Sequence, residues 1–175
     1  MNKIKFLMIA TITLVVIVVL SLSFKPQTQD SKNLILTIRE THPSDPPCLQ
    51  MYFYIEKYAD SFNIPKRYAY GMANIETGYK SPMQWRYNPN QISSTGAQGP
   101  MQILLSTARW LNKDNVSRDK LRTDIEYNVM TAMKYVRKLK NTYKTWSRTF
   151  GYYNTGYPVP NSYANNVMNF KIDWI

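Results

Sequence analysis

Apolar residues in the middle and C-terminal parts of the chain recur at intervals of three and four positions, which is the repeat of an amphipathic helix. This pattern predicts one helix over residues 47–63 and a second over residues 65–76, where Pro65 suits the first helical turn. A third helix is predicted to open at Pro100 and to run to residue 112. No segment alternates convincingly with a period of two. We therefore expect an all-α domain, or nearly so.

The longest periodic segment of the chain follows residue 123. Thr123 and Glu126 have the spacing of a capping box, which marks the N-terminus of a helix. We expect this helix to form the centre of the core, because its apolar residues keep the helical period: Ile125, Val129, Met133, Val136, Leu139 and Tyr143. A shorter helix is predicted over residues 145–154, and a final helix behind Ser162, which we expect to be its N-cap.

The first 24 residues form a segment of a different kind. Lys3 and Lys5 precede an uncharged apolar run over residues 6–22, an order typical of a secretory signal or a membrane anchor. Cleavage and retention as an uncleaved anchor both fit this sequence, and a buried core helix is the remaining interpretation. Residues 25–46 are mainly polar, so we expect a linker that leads into a domain spanning residues 47–175.

Composition and charge narrow the classes of function. The formal net charge is +11, from 22 Lys and Arg against 11 Asp and Glu. This charge favours polyanionic surroundings without choosing among nucleic acid, anionic lipid and an envelope polymer. The single cysteine, Cys48, excludes an internal disulfide, and the single histidine, His42, leaves no zinc-ligand spacing. The Pro-rich stretch around both disfavours a Cys–His nucleophilic pair, and we expect no metal and no cofactor.

Carboxylates are distributed unevenly along the chain. From Ser61 to Lys113 the only acidic residue is Glu76, which lies at the end of an apolar-rich helix beside an irregular loop. A glutamate held among apolar and aromatic groups has a raised pKa and can stay protonated as a general acid. The alternative is a solvated glutamate at a helix end, paired with Lys80. Most glycosidases use two carboxyl groups, so a glycosidase that relies on Glu76 would take its second group from an N-acetyl group of the substrate.

Four motifs occur in order along the predicted helical domain. They are N-I-E-T-G-Y at 74–79, S-S-T-G-A-Q-G-P-M-Q-I at 93–103, F-G-Y-Y-N-T-G at 150–156 and Y-A-N-N-V at 163–167. The set resembles the soluble lytic transglycosylase (SLT) family of lysozyme-like domains, from about Pro47 to the C-terminus. The resemblance implies a lysozyme-like helical domain with an active-site cleft, preceded by the N-terminal signal or anchor segment.

The resemblance also implies roles for single residues. Glu76 matches the family's catalytic acid/base, and Thr77 follows it where the family commonly has serine. Tyr153 matches a tyrosine whose hydroxyl approaches the catalytic glutamate, with Asn154 as its structural companion. Tyr163 matches the aromatic residue of the last motif.

The glycine-rich motif is implied to form the sugar-binding side of the cleft. Ser93 opens it, and Gly99, Met101 and Gln102 match residues that line the cleft opposite the acid. The resemblance implies that Gln102 hydrogen-bonds substrate amide or hydroxyl groups. Pro100 stands where leucine is frequent in the family.

The irregular loop over residues 78–99 is longer than the family pattern leads us to expect. Its aromatic residues Tyr79, Trp85 and Tyr87 argue against disorder, and long ordered loops are usually functional. Which of these aromatic side chains contact sugar is left open. Tyr152 replaces a small residue common in the family, and we interpret it as helix core.

These observations predict an exported peptidoglycan lytic transglycosylase of the cell envelope, a monomer that acts on glycan strands. It is either anchored in the cytoplasmic membrane through its N-terminal segment or released as a periplasmic or secreted protein. The implied reaction cleaves the MurNAc–GlcNAc β-1,4 bond without water and leaves 1,6-anhydro ends. Two alternatives are a lysozyme-like hydrolase and a non-catalytic glycan-binding component of an envelope-spanning secretion or conjugation apparatus. A nucleic-acid binder fits the charge, but the leader and the motif order oppose it.

Overall fold

The computed structural model describes residues 44–174, and these residues form seven helices. They are α1 (Pro47–Ser61), α2 (Lys66–Thr77), α3 (Leu105–Asn112), α4 (Arg118–Thr123), α5 (Ile125–Tyr143), α6 (Trp146–Thr155) and α7 (Ser162–Met168). In the described part, β structure is limited to two isolated antiparallel bridges, Ile92 with Gln98 and Gln98 with Ile103. The expectation of an all-α domain is confirmed.

The predicted signal or anchor segment, most of the predicted linker and His42 lie outside the described residues. Among residues 44–174, no helix combines the length and the apolar content needed to cross a membrane.

Helix α5 lies at the centre of the core, as its sequence predicts. Its apolar positions Ile125, Val129, Met133, Val136 and Leu139 are buried, because a helix with this repeat presents them along one stripe. Helices α1, α3, α4 and α6 pack against α5. Helix α7 packs against both α2 and α6, and it thereby brings the end of the chain next to the second helix.

Buried phenols tie α1 to the region around α2. The hydroxyl of Tyr70 donates a hydrogen bond of 2.7 Å to Glu56, and that of Tyr79 donates one of 3.0 Å to the carbonyl of Cys48. The rings of Tyr70 and Tyr79 stack at 6.2 Å, and both meet Trp174 edge-on. A buried hydroxyl without a partner would cost free energy, so these bonds explain how polar aromatic residues can fill the core.

The segment that opens at Pro100 is not helical, which corrects the predicted start of the third helix. Gln98 and Ile103 exchange two backbone hydrogen bonds of 2.9 and 3.1 Å, and these fold the intervening residues into a tight turn. Within that turn Gln102 has a left-handed backbone, with φ of 49°. Helix α3 therefore begins only at Leu105.

Two predicted N-caps are also wrong by one residue. The carboxylate of Asp124, rather than a capping box at Thr123, accepts the backbone N–H of Tyr127 at 2.9 Å at the start of α5. Thr123 belongs to the short helix α4, which the sequence pattern does not predict. At α7 the side chain of Asn161, rather than Ser162, is the cap and accepts the backbone N–H of Ala164 at 2.9 Å.

Candidate active site

Glu76 lies in the last turn of α2, and its carboxylate meets α7. The hydroxyl of Tyr163 donates a hydrogen bond of 2.5 Å to its Oε1 atom. Gly78 ends the helix in the left-handed region, with φ of 74°, so the chain turns away directly after Glu76. The packing of α7 against α2 thus holds a carboxyl group and a phenol together across 87 positions of sequence.

The surroundings of Glu76 favour its protonated form. Burial raises the pKa of Glu76 from 4.5 to about 7, and the hydrogen bond from Tyr163, which favours the charged form, only partly opposes this rise. The side chain is only partly exposed to solvent. A carboxyl group of this kind holds its proton near neutral pH and can both give and take one.

The alternative of a solvated glutamate paired with Lys80 is not what the structure contains. Within residues 44–174, no ion pair joins Glu76 to a lysine or arginine. Several other carboxylates of the described part have partners of their own: Glu56 and Asp60 with Lys66, Asp119 with Arg122, Glu126 with Lys57 and Asp114 with Tyr127. Among the described residues, Glu76 therefore forms a hydrogen bond to a phenol but no ion pair.

The phenol that hydrogen-bonds to Glu76 is Tyr163, while Tyr153, the tyrosine predicted to approach the acid, lies close enough for the charge of Glu76 to affect its pKa. Tyr163 donates to Glu76, whereas the hydroxyl of Tyr153 donates a hydrogen bond of 2.6 Å to the carbonyl of Met101. The two rings stack with centroids 6.3 Å apart. Burial, followed by the nearby charge of Glu76, raises the pKa of both phenols well above the ordinary value, so both stay neutral donors. Tyr153 thus links α6 to the glycine-rich motif, and its ring packs against Tyr163, which hydrogen-bonds to Glu76.

The glycine-rich motif is held against the start of α5 by a residue that the sequence analysis missed. The buried side chain of Asn128 accepts the N–H of Met101 at 2.9 Å and donates to the carbonyls of Gln98 and Leu121 at 2.9 and 2.8 Å. Gly99 lies against the same amide, with φ of 73°, and a Cβ there would come within 2.6 Å of Asn128. Only glycine fits this position. An asparagine between the apolar positions Ile125 and Val129 at the start of α5 is the one sequence signal that could have identified Asn128.

Thr77 links the helix that carries Glu76 to the glycine-rich motif. Its hydroxyl donates to the carbonyl of Pro100 at 2.9 Å and accepts from the phenol of Tyr87 at 2.7 Å. The side chain is buried, so its contacts are with the protein, and it fixes the distance between acid and motif. Met101 is fully buried as well, and the atom that it presents to Tyr153 is its backbone carbonyl.

Three further predicted residues are placed around the motif. The amide nitrogen of Gln102 donates to the carbonyls of Gly99 and Gln91 at 2.8 and 3.1 Å, which fixes the direction of its side chain. The hydroxyl of Ser93 accepts the N–H of Ala97 at 3.0 Å and closes the turn that opens the motif. Asn154 is exposed at the end of α6 and has one long contact of 3.4 Å, from the amide of Asn161.

The long loop between Glu76 and Gly99 is ordered by its own side chains. Tyr79 and Tyr87 are buried and meet edge to face at 5.2 Å, so both belong to the core rather than to a binding surface. The side-chain amide of Gln91 donates to the carbonyl of Thr77 at 3.0 Å and ties the end of the loop to α2. Trp85 is 61% exposed and is the aromatic residue of this loop that solvent reaches.

This arrangement provides proton transfer by one carboxyl group. A protonated Glu76 can act as a general acid, and the anion that remains is stabilised by the hydrogen bond from Tyr163. Within residues 44–174, no three histidine, cysteine or acidic side chains are grouped in a way that could hold a metal ion.

Comparison with solved structures identifies the class of fold. The chain is similar to the 70-kDa soluble lytic transglycosylase, solved in complex with bulgecin A, with a TM-score of 0.52 and 24% sequence identity. The similarity covers 66% of this chain and 18% of that protein, so this chain matches only a small part of the larger protein. The described residues thus have the lysozyme-like fold of such a domain.

Comparison with family models then gives the family. The model of the transglycosylase SLT domain matches residues 53–174, and the chain belongs to this family. The resemblance inferred from the four motifs is thereby confirmed. A search of curated protein sequences finds no significant match.

Proposed function

We propose that this protein is a peptidoglycan lytic transglycosylase with Glu76 as its single acid/base. The observation that carries the proposal is the environment of Glu76, where burial raises the pKa to about 7 and Tyr163 donates a 2.5 Å hydrogen bond. Membership of the transglycosylase SLT domain family supports the choice of substrate and reaction class.

In the first step, the protonated carboxyl group of Glu76 gives its proton to the glycosidic oxygen between N-acetylmuramic acid and N-acetylglucosamine. The bond from the muramic C1 to that oxygen breaks, and the electron pair leaves with the N-acetylglucosamine hydroxyl. The carbonyl oxygen of the muramic N-acetyl group attacks C1 and takes the place of a protein nucleophile. Tyr163 stabilises the carboxylate that Glu76 becomes.

In the second step, the carboxylate of Glu76 takes the proton from the C6 hydroxyl of the same muramic ring. The C6 oxygen then attacks C1, and the acetamido oxygen leaves C1. A 1,6-anhydro ring forms, and Glu76 regains its proton for the next cycle. A pKa near neutral suits a group that serves as acid in one step and as base in the next.

The partners of the other carboxylates support a mechanism with one glutamate. A lysine or an arginine pairs with Glu56, Asp60, Asp119 and Glu126, and Asp124 caps α5. These five carboxylates are already engaged in such contacts, which disfavours them as the second, water-activating carboxylate of an inverting hydrolase.

The glycine-rich motif would form the opposite side of the cleft. Gln102 has its amide nitrogen bound to two carbonyls, which leaves its Oε1 atom to accept a hydrogen bond from a substrate N–H. Ser93 and Asn154 would add polar contacts along the cleft. Thr77, Gly99 and Met101 would act by holding the motif in place.

The cellular setting follows from the same proposal. Residues 1–24 would export the chain and either anchor it in the cytoplasmic membrane or be removed, and residues 25–46 would connect them to the catalytic domain. The domain would then meet peptidoglycan in the cell envelope, for wall remodelling or for opening a passage for a secretion or conjugation apparatus.

Digestion of purified sacculi tests the proposal. The full chain and its Glu76→Gln variant are incubated with sacculi, and the released muropeptides are identified by mass spectrometry. We expect wild type to release muropeptides with 1,6-anhydro ends and the variant to lose this activity by at least about 100-fold, the scale of general acid–base catalysis. Reducing ends would favour the hydrolase, and unchanged release by the variant would favour a catalytic group other than Glu76. No release by either protein would favour a binding component.

A further inference from the structure

A cavity of about 370 Å³ lies between α3, α5 and α6, outside the set of residues that surround Glu76. Its volume falls in the range of small-molecule sites, and it is large enough for a few residues of a peptide rather than for a whole glycan strand. Its walls combine the aromatic side chains Trp110, Tyr135 and Tyr152 with the hydroxyl groups of Thr107 and Thr142.

The charge of the cavity selects for an anion. Among the described residues that line it, Lys138 is the only charged one. The ammonium group of Lys138 lies over the ring of Trp110, 5.0 Å from its centroid, and Trp110 is 49% exposed. The sequence contains no Asp or Glu between Glu126 and Asp173, and α3 has none. The part of α5 that lines the cavity, α3 and α6 therefore supply no carboxylate to neutralise this lysine.

The cavity is connected to the acid by two ring contacts. Tyr135 forms part of its wall and meets Tyr153 at 5.7 Å, and Tyr153 stacks on Tyr163 at 6.3 Å. Tyr163 in turn donates to Glu76. The rings of Tyr153 and Tyr163 thus lie between the cavity and Glu76, so a ligand in the cavity and a sugar at Glu76 would be a few side-chain widths apart.

We propose that this cavity binds the stem peptide of the peptidoglycan strand, with Lys138 pairing with a free carboxylate of that peptide. The proposal rests on the proposed function and names the part of the substrate that the cavity recognises. The sugar rings of the strand are uncharged, and the muramic lactyl carboxyl is consumed in the amide bond to the peptide, whereas the peptide itself carries free carboxylates. The aromatic walls suit its apolar side chains, and the hydroxyls suit its backbone amides. Lys138 is thereby a specificity-determining residue.

Peptide binding without cleavage tests this inference. The full chain carrying Glu76→Gln is titrated with an isolated stem pentapeptide, and the indole N–H signal of Trp110 is followed by NMR. The same titration uses the pentapeptide with its carboxylates converted to amides, and a peptide-free N-acetylglucosamine–muramic acid disaccharide. We expect the pentapeptide alone to shift the Trp110 signal. The change Lys138→Gln should weaken its binding about tenfold or more, since a hydrogen bond to a charged group is lost.

A matched pair of variants separates the pocket from general charge. Arg137→Gln removes the same charge from the neighbouring position of α5, which does not line the cavity, and should leave binding unchanged. Lys138→Arg keeps the charge and should retain most of the affinity. Three results would overturn the proposal. The two glutamine variants could weaken binding equally, the amidated peptide could bind as well as the free one, or the Trp110 signal could respond to the disaccharide instead of the peptide. The titration measures binding and not cleavage. Its outcome therefore does not depend on whether the protein produces anhydro ends.

Discussion

Replacing Glu76 with glutamine removes a carboxyl group but keeps its shape and one oxygen that can accept the hydrogen bond from Tyr163. The effect on stability should depend on pH, since the pKa of Glu76 rises from 4.5 to about 7 on burial. Below pH 4.5 the group is protonated in both the folded and the unfolded chain, so wild type and variant should differ little.

Between pH 4.5 and 7 the unfolded chain releases the proton while the folded chain retains it. The free energy of unfolding of wild type therefore falls as pH rises through this window. A rise of the pKa from 4.5 to about 7 corresponds to about 3 kcal/mol at 1.36 kcal/mol per pKa unit. Glu76→Gln should thus be more stable than wild type above pH 7 by up to about 3 kcal/mol, and equally stable at pH 4.

Urea denaturation followed by circular dichroism, at pH values from about 3 to 8, measures this difference. Glu126→Gln is a control of opposite sign. Burial raises the pKa of Glu126, but hydrogen bonds from Lys57 and Tyr58 outweigh burial and lower it. This variant should be less stable than wild type at neutral pH, and the difference should shrink as the pH falls below the ordinary pKa of glutamate. A constant difference between Glu76→Gln and wild type across the whole range would refute the assigned pKa of Glu76.

Three other substitutions, together with Gly78→Ala as a control, probe the groups around the acid and the glycine-rich motif. Tyr163→Phe removes the bond that favours the charged form of Glu76, so the pH above which activity is lost should move upward from about 7, with a lower maximal rate; an unchanged pH–rate profile would exclude this bond as a determinant. Gly99→Ala should destabilise by about 2–4 kcal/mol because its Cβ meets Asn128, whereas Gly78→Ala, with open space around it, should cost about 1 kcal/mol. Equal losses in urea denaturation would contradict the packing of Gly99. Asn128→Ala leaves one buried N–H and two carbonyls without their partner and should cost about 3 kcal/mol by the same measurement; a loss below 1 kcal/mol would show that water replaces it.

Sequence reasoning could predict the elements whose signal is local. The three-to-four repeat predicts α1, α2 and α5 to within about two residues at most ends, which is the usual uncertainty of helix ends. Glu76 could be singled out because no other acidic residue occurs near it in sequence. Pro100 predicts a helix start where the structure has a tight turn, because proline suits both. Only the pairing of Gln98 with Ile103 decides between the two.

The contacts that complete the site depend on how the helices pack. The resemblance implies that Tyr153 approaches Glu76, but the hydrogen bond to Glu76 comes from Tyr163, because α7 packs against α2. Asn128 belongs to a helix whose pattern is read from its apolar residues, so a buried polar position there is easily overlooked. The cavity beside Lys138 is formed by three helices at once, and no local pattern predicts such a space.

Cleavage of sacculi in water enriched in ¹⁸O tests most directly whether the C6 hydroxyl of the muramic sugar, rather than water, attacks C1. The full chain is incubated with sacculi in this water, and the new muramic ends are analysed by mass spectrometry. Attack by the C6 hydroxyl predicts ends that are one water lighter than reducing ends and carry no ¹⁸O. Muramic ends that carry one ¹⁸O atom at C1 would mean that water is the nucleophile, and would contradict the account.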